Sequence, residues 1–403
     1  MNEQLIVKNF GPIENATVDF KRVTVFIGPT GGGKSTLAKL AAVFRNKDYL
    51  FGLQSKARYI LFESLLDNFS ILRFRNSKSE LVWDSLNVLY SVKNKVFKID
   101  ISKRNKLSSS LTKHLENFSK YFLDESIVYN PLDRIDLIHE FHESNDFQSN
   151  NNSLNFTKVM GKFFTDPIYI PSERVFASSI EGAGFSLRRS KTAIPYSLEN
   201  FIGLFEVARK NHDNFSMPIF GISYRYYNGQ NILDIGKKTR IELNEGASGI
   251  QATLPLMLVV EDLSMYIDTH SFIIEEPELN LYPTAQQGLL NWLVEKCTKG
   301  ENDLTITTHS PYILSSCNLL LEAYKVAQQR PELAEDIAVI VPKECWINPD
   351  EFAAYYVADG TVKPITDDRT HLIGANELDA VSGDIADSFR KLLRLQKQKQ
   401  PSA

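Results

Sequence analysis

Two acidic side chains, Glu275 and Glu276, stand side by side in "FIIEEPELNLYP", between an apolar run and a proline. The run Ser271 to Ile274 is short and β-branched, and Pro277 ends regular pairing soon after it, so it reads as a buried strand. A carboxylate is costly to bury unless a cation or hydrogen bonds compensate it. Two at a strand tip therefore point to a metal or to a proton-transfer task. Taken alone, the segment leaves a solvated turn open as the alternative.

A second stretch supplies a reason for them. "VTVFIGPTGGGKSTLAKL", residues 23 to 40, is an apolar strand, a glycine-rich turn and a helix with Leu37, Leu40 and Ala41 on its apolar side. Gly28-x-x-x-x-Gly33-Lys34-Ser35 has the spacing of a P-loop, in which backbone N–H groups wrap phosphates at the positive end of a helix. Lys34 would reach the β and γ phosphates, and Ser35 would give its hydroxyl to Mg²⁺. A merely flexible glycine turn is the alternative, against which the flanking strand and helix argue. In P-loop proteins a second strand ends in an acid that holds the magnesium shell, which assigns that role to Glu275 and makes Glu276 the candidate base for an attacking water. Side chains alternate along a strand, so the two acids need not compete for one position. A third station is "DLTITTHSPYIL", a β-branched strand from Leu304 to Thr307 that ends near His309. A helix of crossover length, Pro283 to Lys296, separates it from the acidic strand, so it is expected parallel in the same sheet with its tip near the phosphates. His309 could then sense or polarise a γ-phosphate, where a lone histidine is otherwise usually a core residue.

These elements sit in a chain of 403 residues that is 43% hydrophobic, enough for one large domain or two ordinary ones. The net charge of −4 announces no nucleic-acid binder, although a local basic patch could still act. Cys297, Cys317 and Cys345 form no C-x-x-C pair, which fits a reducing cytosol better than a disulfide framework or a zinc site. The sequence opens without a basic region and apolar core, and its longest apolar stretch, Leu254 to Val260, is too short to span a bilayer, so a cytoplasmic protein without membrane contact is expected.

With the P-loop, "YIPSER" at 169 to 174, "EEPELNLYP" and "TTHSPYIL" following in that order after "LIVKNFGPIENATVDF", the chain resembles the ABC-type ATPases of the SMC and RecF kind. The resemblance is strongest to the overcoming-lysogenization-defect (OLD) family and its relatives in bacterial anti-phage systems. It implies an α/β P-loop fold: a mixed sheet flanked by helices, an antiparallel side lobe, and a homodimer or higher homo-oligomer sandwiching Mg²⁺ and ATP between subunits. Gly28, Thr30, Gly31, Gly32, Gly33, Lys34, Ser35 and Thr36 would then contact ATP, with Ser35 and Glu275 on the metal. The loop that reaches across such a dimer is similar to "NEGASGIQATLPL", residues 244 to 256, which would bring Ser248 and Gly249 to the partner's ATP. Three positions depart from the family pattern: Ala247 where a phosphate-binding serine is expected, Tyr282 where relatives often have histidine, and Thr30 where many carry asparagine. The Ala247 departure implies slow hydrolysis. The family's Q-loop glutamine has no evident counterpart.

Organisation follows from the same stations. Residues 1 to 104 form the N-terminal ATPase part with the P-loop and side lobe, whose strands are expected from the alternation over 81 to 101. Residues 105 to 165 form a helical insertion with Leu111, Leu115, Phe118 and Phe122 on one face, 166 to 345 the ATPase core, and 346 to 403 a C-terminal segment. The insertion is far too short for the heptad arms of SMC proteins. Lys93, Lys95, Lys98, Lys103, Arg104 and Lys106, and then Arg188, Arg189 and Lys191, are either solvated faces or a docking surface for DNA or protein. Many OLD relatives continue into a metal-dependent Toprim nuclease. Here the stretch after "AVIVPKE" holds Asp367-Asp368 but no Asp-x-Asp, so that site is not expected. The expectation is a slow Mg-dependent ATPase subunit that acts as a switch in anti-phage defence and controls a separately encoded nuclease or toxin. The rivals are a RecF-like repair ATPase on DNA, a transporter ATPase, and an ATP-dependent scaffold with little turnover.

Overall fold

The computed structural model describes residues 3–46, 55–85, 89–93, 96–100, 166–179, 194–236, 239–265, 269–374 and 389–391. Its strands, in chain order, are β1 (Glu3–Phe10), β2 (Ile13–Phe20), β3 (Val23–Ile27), β4 (Arg75–Asp84), β5 (Leu89–Lys93), β6 (Val96–Asp100), β7 (Asp166–Ile170), β8 (Asn214–Met217), β9 (Ile222–Tyr227), β10 (Gln230–Ile235), β11 (Thr239–Glu242), β12 (His270–Glu275), β13 (Asp303–Thr308), β14 (Phe352–Ala358) and β15 (Thr361–Pro364). The principal helices are α1 (Lys34–Phe44), α2 (Ser55–Asn68), α3 (Val175–Ser179), α4 (Tyr196–Asn211), α5 (Ser248–Ser264), α6 (Pro283–Cys297), α7 (Pro311–Gln329) and α8 (Ala334–Ile340).

Eleven strands form one sheet in the order β6-β5-β4-β1-β2-β15-β14-β3-β13-β12-β7. The half that contains β14, β3, β13, β12 and β7 is parallel. Its strands read as continuous apolar runs because both faces are covered, as parallel sheets require. Alternate residues divide between two cores with the pleat's period of two. Val23, Val25, Phe272, Ile274 and Leu304 point into one, and Phe26, Ile273 and Tyr355 into the other. Helices α4 to α7 cover the first face and α1 and α2 the second.

The strands expected over 81 to 101 are present as β4 to β6, but they are not a separate lobe. β4 pairs antiparallel with β1, so they extend the main sheet as a wing. A separate antiparallel sheet, ordered β11-β10-β9-β8, lies later in the chain and leads directly into α5. The expected helical insertion, with Leu111, Leu115, Phe118 and Phe122, lies outside the described residues. So do Lys95, Lys103, Arg104, Lys106, Arg188, Arg189 and Lys191. Of the basic runs, Lys93 and Lys98 are described: Lys93 faces Glu80 at 3.4 Å across the β4–β5 pair, and Lys98 is exposed on β6 opposite Ser91. The sheet also continues beyond residue 345: β14 lies directly beside the P-loop strand, with Phe352 opposite Val23 and Tyr356 opposite Ile27.

Candidate nucleotide site

The site forms where β3, β13 and β12 end side by side. The histidine strand separates the P-loop strand from the acidic strand, with Thr307 opposite both Phe26 and Glu275. The α6 crossover takes the chain from β12 to β13, and β13 docks on the β3 edge left by α1.

The P-loop occupies the turn from β3 into α1. A Cβ at Gly28 would lie 2.2 Å from the Val357 carbonyl oxygen and one at Gly32 2.4 Å from it, so both positions must be glycine for the loop to lie against β14. Gly33 serves as the N-cap of α1 at φ 108, without a side chain to cap it. The free N–H groups of that first turn are therefore left for a ligand. Lys34 is buried, and its Nζ donates to the carbonyls of Gly28 at 2.8 Å and Pro29 at 3.0 Å. Burial lowers its pKa against the opposing charges of Glu276, Glu278 and Glu275.

Three of the expected side chains meet at His309. Its Nε2 lies 3.1 Å from Lys34 Nζ and 3.3 Å from Glu276 Oε1. A proton on Nε2 is donated to Glu276, and a bare Nε2 accepts from Lys34, so the tautomer of His309 selects its partner.

Glu275 and Glu276 differ more than adjacent strand residues should. Glu275 ends β12, is 4% exposed, and has a buried Oε1 without a partner at hydrogen-bond distance, although the buried Tyr169 hydroxyl is near: burial and then the Glu275 charge push the tyrosine's pKa up. Glu276 has already left the extended conformation. At φ 42 it occupies the left-handed region, at a cost of about 1–3 kcal/mol for a residue other than glycine. The alternation expected from a continuing strand is thus replaced by a turn. Both of its backbone groups are tied: its N–H donates to Thr307 O at 2.8 Å, and its carbonyl accepts from Leu279 N at 3.1 Å and Arg174 Nη2 at 2.7 Å.

Two residues that the sequence reading did not single out complete the frame. Glu278 accepts from Thr308 Oγ1 at 2.6 Å and from His309 N at 2.9 Å, which fixes the turn after β13. Burial raises its pKa, against those two hydrogen bonds. Arg174, the last residue of "YIPSER", is fully buried beneath the acid pair. The motif was visible in the sequence, but nothing local distinguishes this arginine from a surface one.

Ser248 and Gly249 open α5, with Ala247 as an N-cap that makes no side-chain hydrogen bond. Gln251 steadies the loop by donating to Asn244 O at 2.8 Å and Gly246 O at 2.7 Å. A Cβ on Gly249 would lie 2.6 Å from Asn280 O, so the start of α5 packs against the turn that follows Glu276. Tyr282 is 77% exposed at the N-terminus of α6.

The donor set fits a magnesium nucleotide. The unpartnered buried oxygen of Glu275 needs a cation or a donor, the P-loop glycines leave room for phosphate against the α1 N-terminus, and Lys34 lies in that loop. Among the described residues there is no cluster of three or more His, Cys, Asp and Glu that could hold a metal.

Residues 186–314 match the family model of an AAA ATPase domain. This segment contains the signature-like loop, the acidic strand and His309, and it supports an ATPase of this type. No curated protein sequence matches the chain. Among solved structures, the Smc head domain from Pyrococcus furiosus with an extended coiled coil, bound to the C-terminal domain of ScpA, is 14% identical over 96% of this chain and 98% of its own, at a TM-score of 0.37. The SMC head domain from Thermotoga maritima is 12% identical over 91% of this chain and 98% of its own, also at 0.37. An Smc head bound to the C-terminal winged-helix domain of ScpA is 14% identical over 90% of this chain and 96% of its own, at 0.39.

Proposed function

We propose that this chain hydrolyses Mg·ATP slowly, and that it acts as a nucleotide-gated switch in a cytoplasmic homodimer or higher homo-oligomer. The observation that carries the reading is the meeting of Lys34 and Glu276 at His309 Nε2, at the tips of neighbouring parallel strands. Gly28, Thr30, Gly31, Gly32, Gly33 and Thr36 would surround the phosphates, with Lys34 released from its loop carbonyls to meet their charge. Ser35 and Glu275 would hold Mg²⁺, which when bound neutralises phosphate charge. Glu276 orients and deprotonates a water, and His309, between Glu276 and Lys34, reports which of the two is engaged. Ser248 and Gly249 would meet the ATP held by a second copy.

The resemblance of the ordered motifs to OLD-type ATPases supports a role in anti-phage defence, with a separately encoded nuclease or toxin as effector. No described helix is long and apolar enough to cross a membrane. Phosphate release from ATP by the purified chain tests the enzymatic reading. It is expected to require Mg²⁺ and to disappear in Lys34→Ala. Release that survives this substitution overturns the site. For the defence role, cells carrying the chain with its adjacent genes should resist phage, and Glu276→Gln should abolish that resistance.

A further inference from the structure

Arg174 makes a set of contacts unusual for a buried cation. Its Nη1 donates to the carbonyls of Pro171 at 3.2 Å and Glu275 at 2.6 Å, its Nη2 to Glu276 O at 2.7 Å, and its Nε to Ala252 O at 3.2 Å. All of these acceptors are neutral backbone oxygens, and among the described residues it makes no ion pair with a carboxylate. A guanidinium in such surroundings loses its hydration without a direct counter-charge. Burial accordingly lowers its pKa to about 10, against the attraction of Glu278, Glu276, Glu275 and Glu173, so it still carries its charge at neutral pH. With 0% of its surface exposed it cannot touch a nucleotide itself.

Its geometry explains what the buried charge achieves. The carbonyls of Glu275 and Glu276 are consecutive, and fixing both fixes the peptide between them, where the chain turns from the strand into the left-handed region. That turn aims the Glu276 carboxylate at His309. A planar donor fork can hold two adjacent carbonyls and a third on a neighbouring helix at once, which the single ammonium of lysine cannot. The third carbonyl belongs to Ala252, one turn into α5, whose first residues form the loop read as reaching a partner's ATP.

We propose that Arg174 is a positioning residue for hydrolysis: it holds the Glu275–Glu276 peptide so that Glu276 faces the attacking water, and it links that placement to the helix bearing Gly249. The inference rests on the ATPase reading. It adds that the general base is placed from below by a residue outside the nucleotide pocket.

The test uses the full chain carrying Arg174→Lys, alone and combined with Glu276→Gln. Folding is followed by thermal unfolding, ATP affinity by a fluorescent ATP analogue, and turnover by single-turnover release of labelled phosphate. In the Arg174→Lys protein, affinity should stay within about threefold and turnover should fall roughly 10²-fold, the loss expected when a reacting group is displaced by about 1 Å. In the Glu276→Gln background the same substitution should change the residual rate less than about twofold, because Arg174 acts through Glu276. Equal losses in both backgrounds, or a loss confined to affinity, would overturn the proposal. If Arg174→Lys does not fold, Arg174→Gln replaces it, and failure of both to fold makes Arg174 a structural residue and ends the proposal. An unsubstituted chain that binds no ATP, or a Glu276→Gln chain with undiminished turnover, condemns the ATPase reading instead.

Discussion

Two buried arginines stand at opposite ends of the β12–β13 pair, and they are solvated by the protein in opposite ways. Arg45, just beyond α1, lies where Ser271 is paired with Asp303. It meets Glu3 Oε2 at 2.7 Å and Asp303 Oδ1 at 3.1 Å, donates to the Ser271 hydroxyl, and stacks over Phe20 at 4.9 Å. Burial works against its charge, but Asp303 and then Glu3 outweigh it and hold its pKa above the ordinary value. Arg174, at the other end, meets only carbonyl oxygens among the described residues, and burial lowers its pKa. Around Arg45 each charge has an ionic partner and the backbone is regular, although one buried oxygen, Asp303 Oδ2, has no hydrogen bond. Around Arg174 lie a left-handed Glu276 and the unpartnered oxygens Glu275 Oε1 and Glu278 Oε2. One end of the strands is closed by ion pairs, whereas the other combines a buried cation held by carbonyls with a strained turn. Backbone strain of this kind collects at functional sites.

Substitutions can break this contrast or sharpen it. The largest effect is expected from Lys34→Ala, which should abolish measurable ATP binding. Because Lys34 is a buried cation satisfied mainly by loop carbonyls, its loss should leave the melting temperature unchanged or higher. Titration of ATP beside a thermal melt checks both halves, and a large fall in melting temperature would make this end structural after all. Next comes Glu276→Gln, which keeps the shape and removes the base. Hydrolysis should fall ~10²–10⁴-fold while ATP and Mg²⁺ remain bound, and the uncleaved nucleotide should hold chains together. Sedimentation with ATP and with ADP reads this, and equal assembly with either nucleotide contradicts it.

At the ion-paired end, Arg45→Met should cost about 3–5 kcal/mol of stability by leaving Glu3 and Asp303 buried without their cation. Chemical denaturation measures the loss, and the fraction still folded should bind ATP with native affinity. The smallest effect belongs to Ala247→Ser. A serine at this uncapped N-terminus of α5 should stabilise the chain by about 1 kcal/mol through a new side-chain cap. If the hydroxyl also serves a nucleotide, turnover should rise; an unchanged melting temperature with faster turnover would assign it to the ligand alone.

Much of the parallel half was legible in the sequence because its signals are local. The apolar run at 23 to 27, the glycines and the helix after them, and the strand-helix-strand segment from 270 to 308 fall within a residue or two of their expected limits. The spacing of Lys34, Glu276 and His309 could be read from motifs, and the fold places them together. What was missed depends on distant partners. Glu276 leaves the strand because Thr307 and Arg174 hold its backbone, and neither contact has a local sequence signal. The burial of Glu278 under Thr308 is of the same kind. The antiparallel wing was visible as alternation, but its pairing with β1, some seventy positions earlier in register terms (Val7 with Leu81), was not.

The strand order has a consequence for the newly made chain. β3 is complete by residue 27, yet its neighbours on the two sides are β13 and β14, the latter spanning Phe352–Ala358. At about 5–20 residues per second, a ribosome needs on the order of 15–65 s to travel from one to the other. Through that interval Val23–Ile27 is an apolar ribbon with unpaired edges, which is the kind of segment that chaperones shield and that associates wrongly when they do not. Val357, whose carbonyl braces Gly28 and Gly32, arrives only after β13. The P-loop is therefore braced by β14 only after every strand from β4 to β13 has been synthesised.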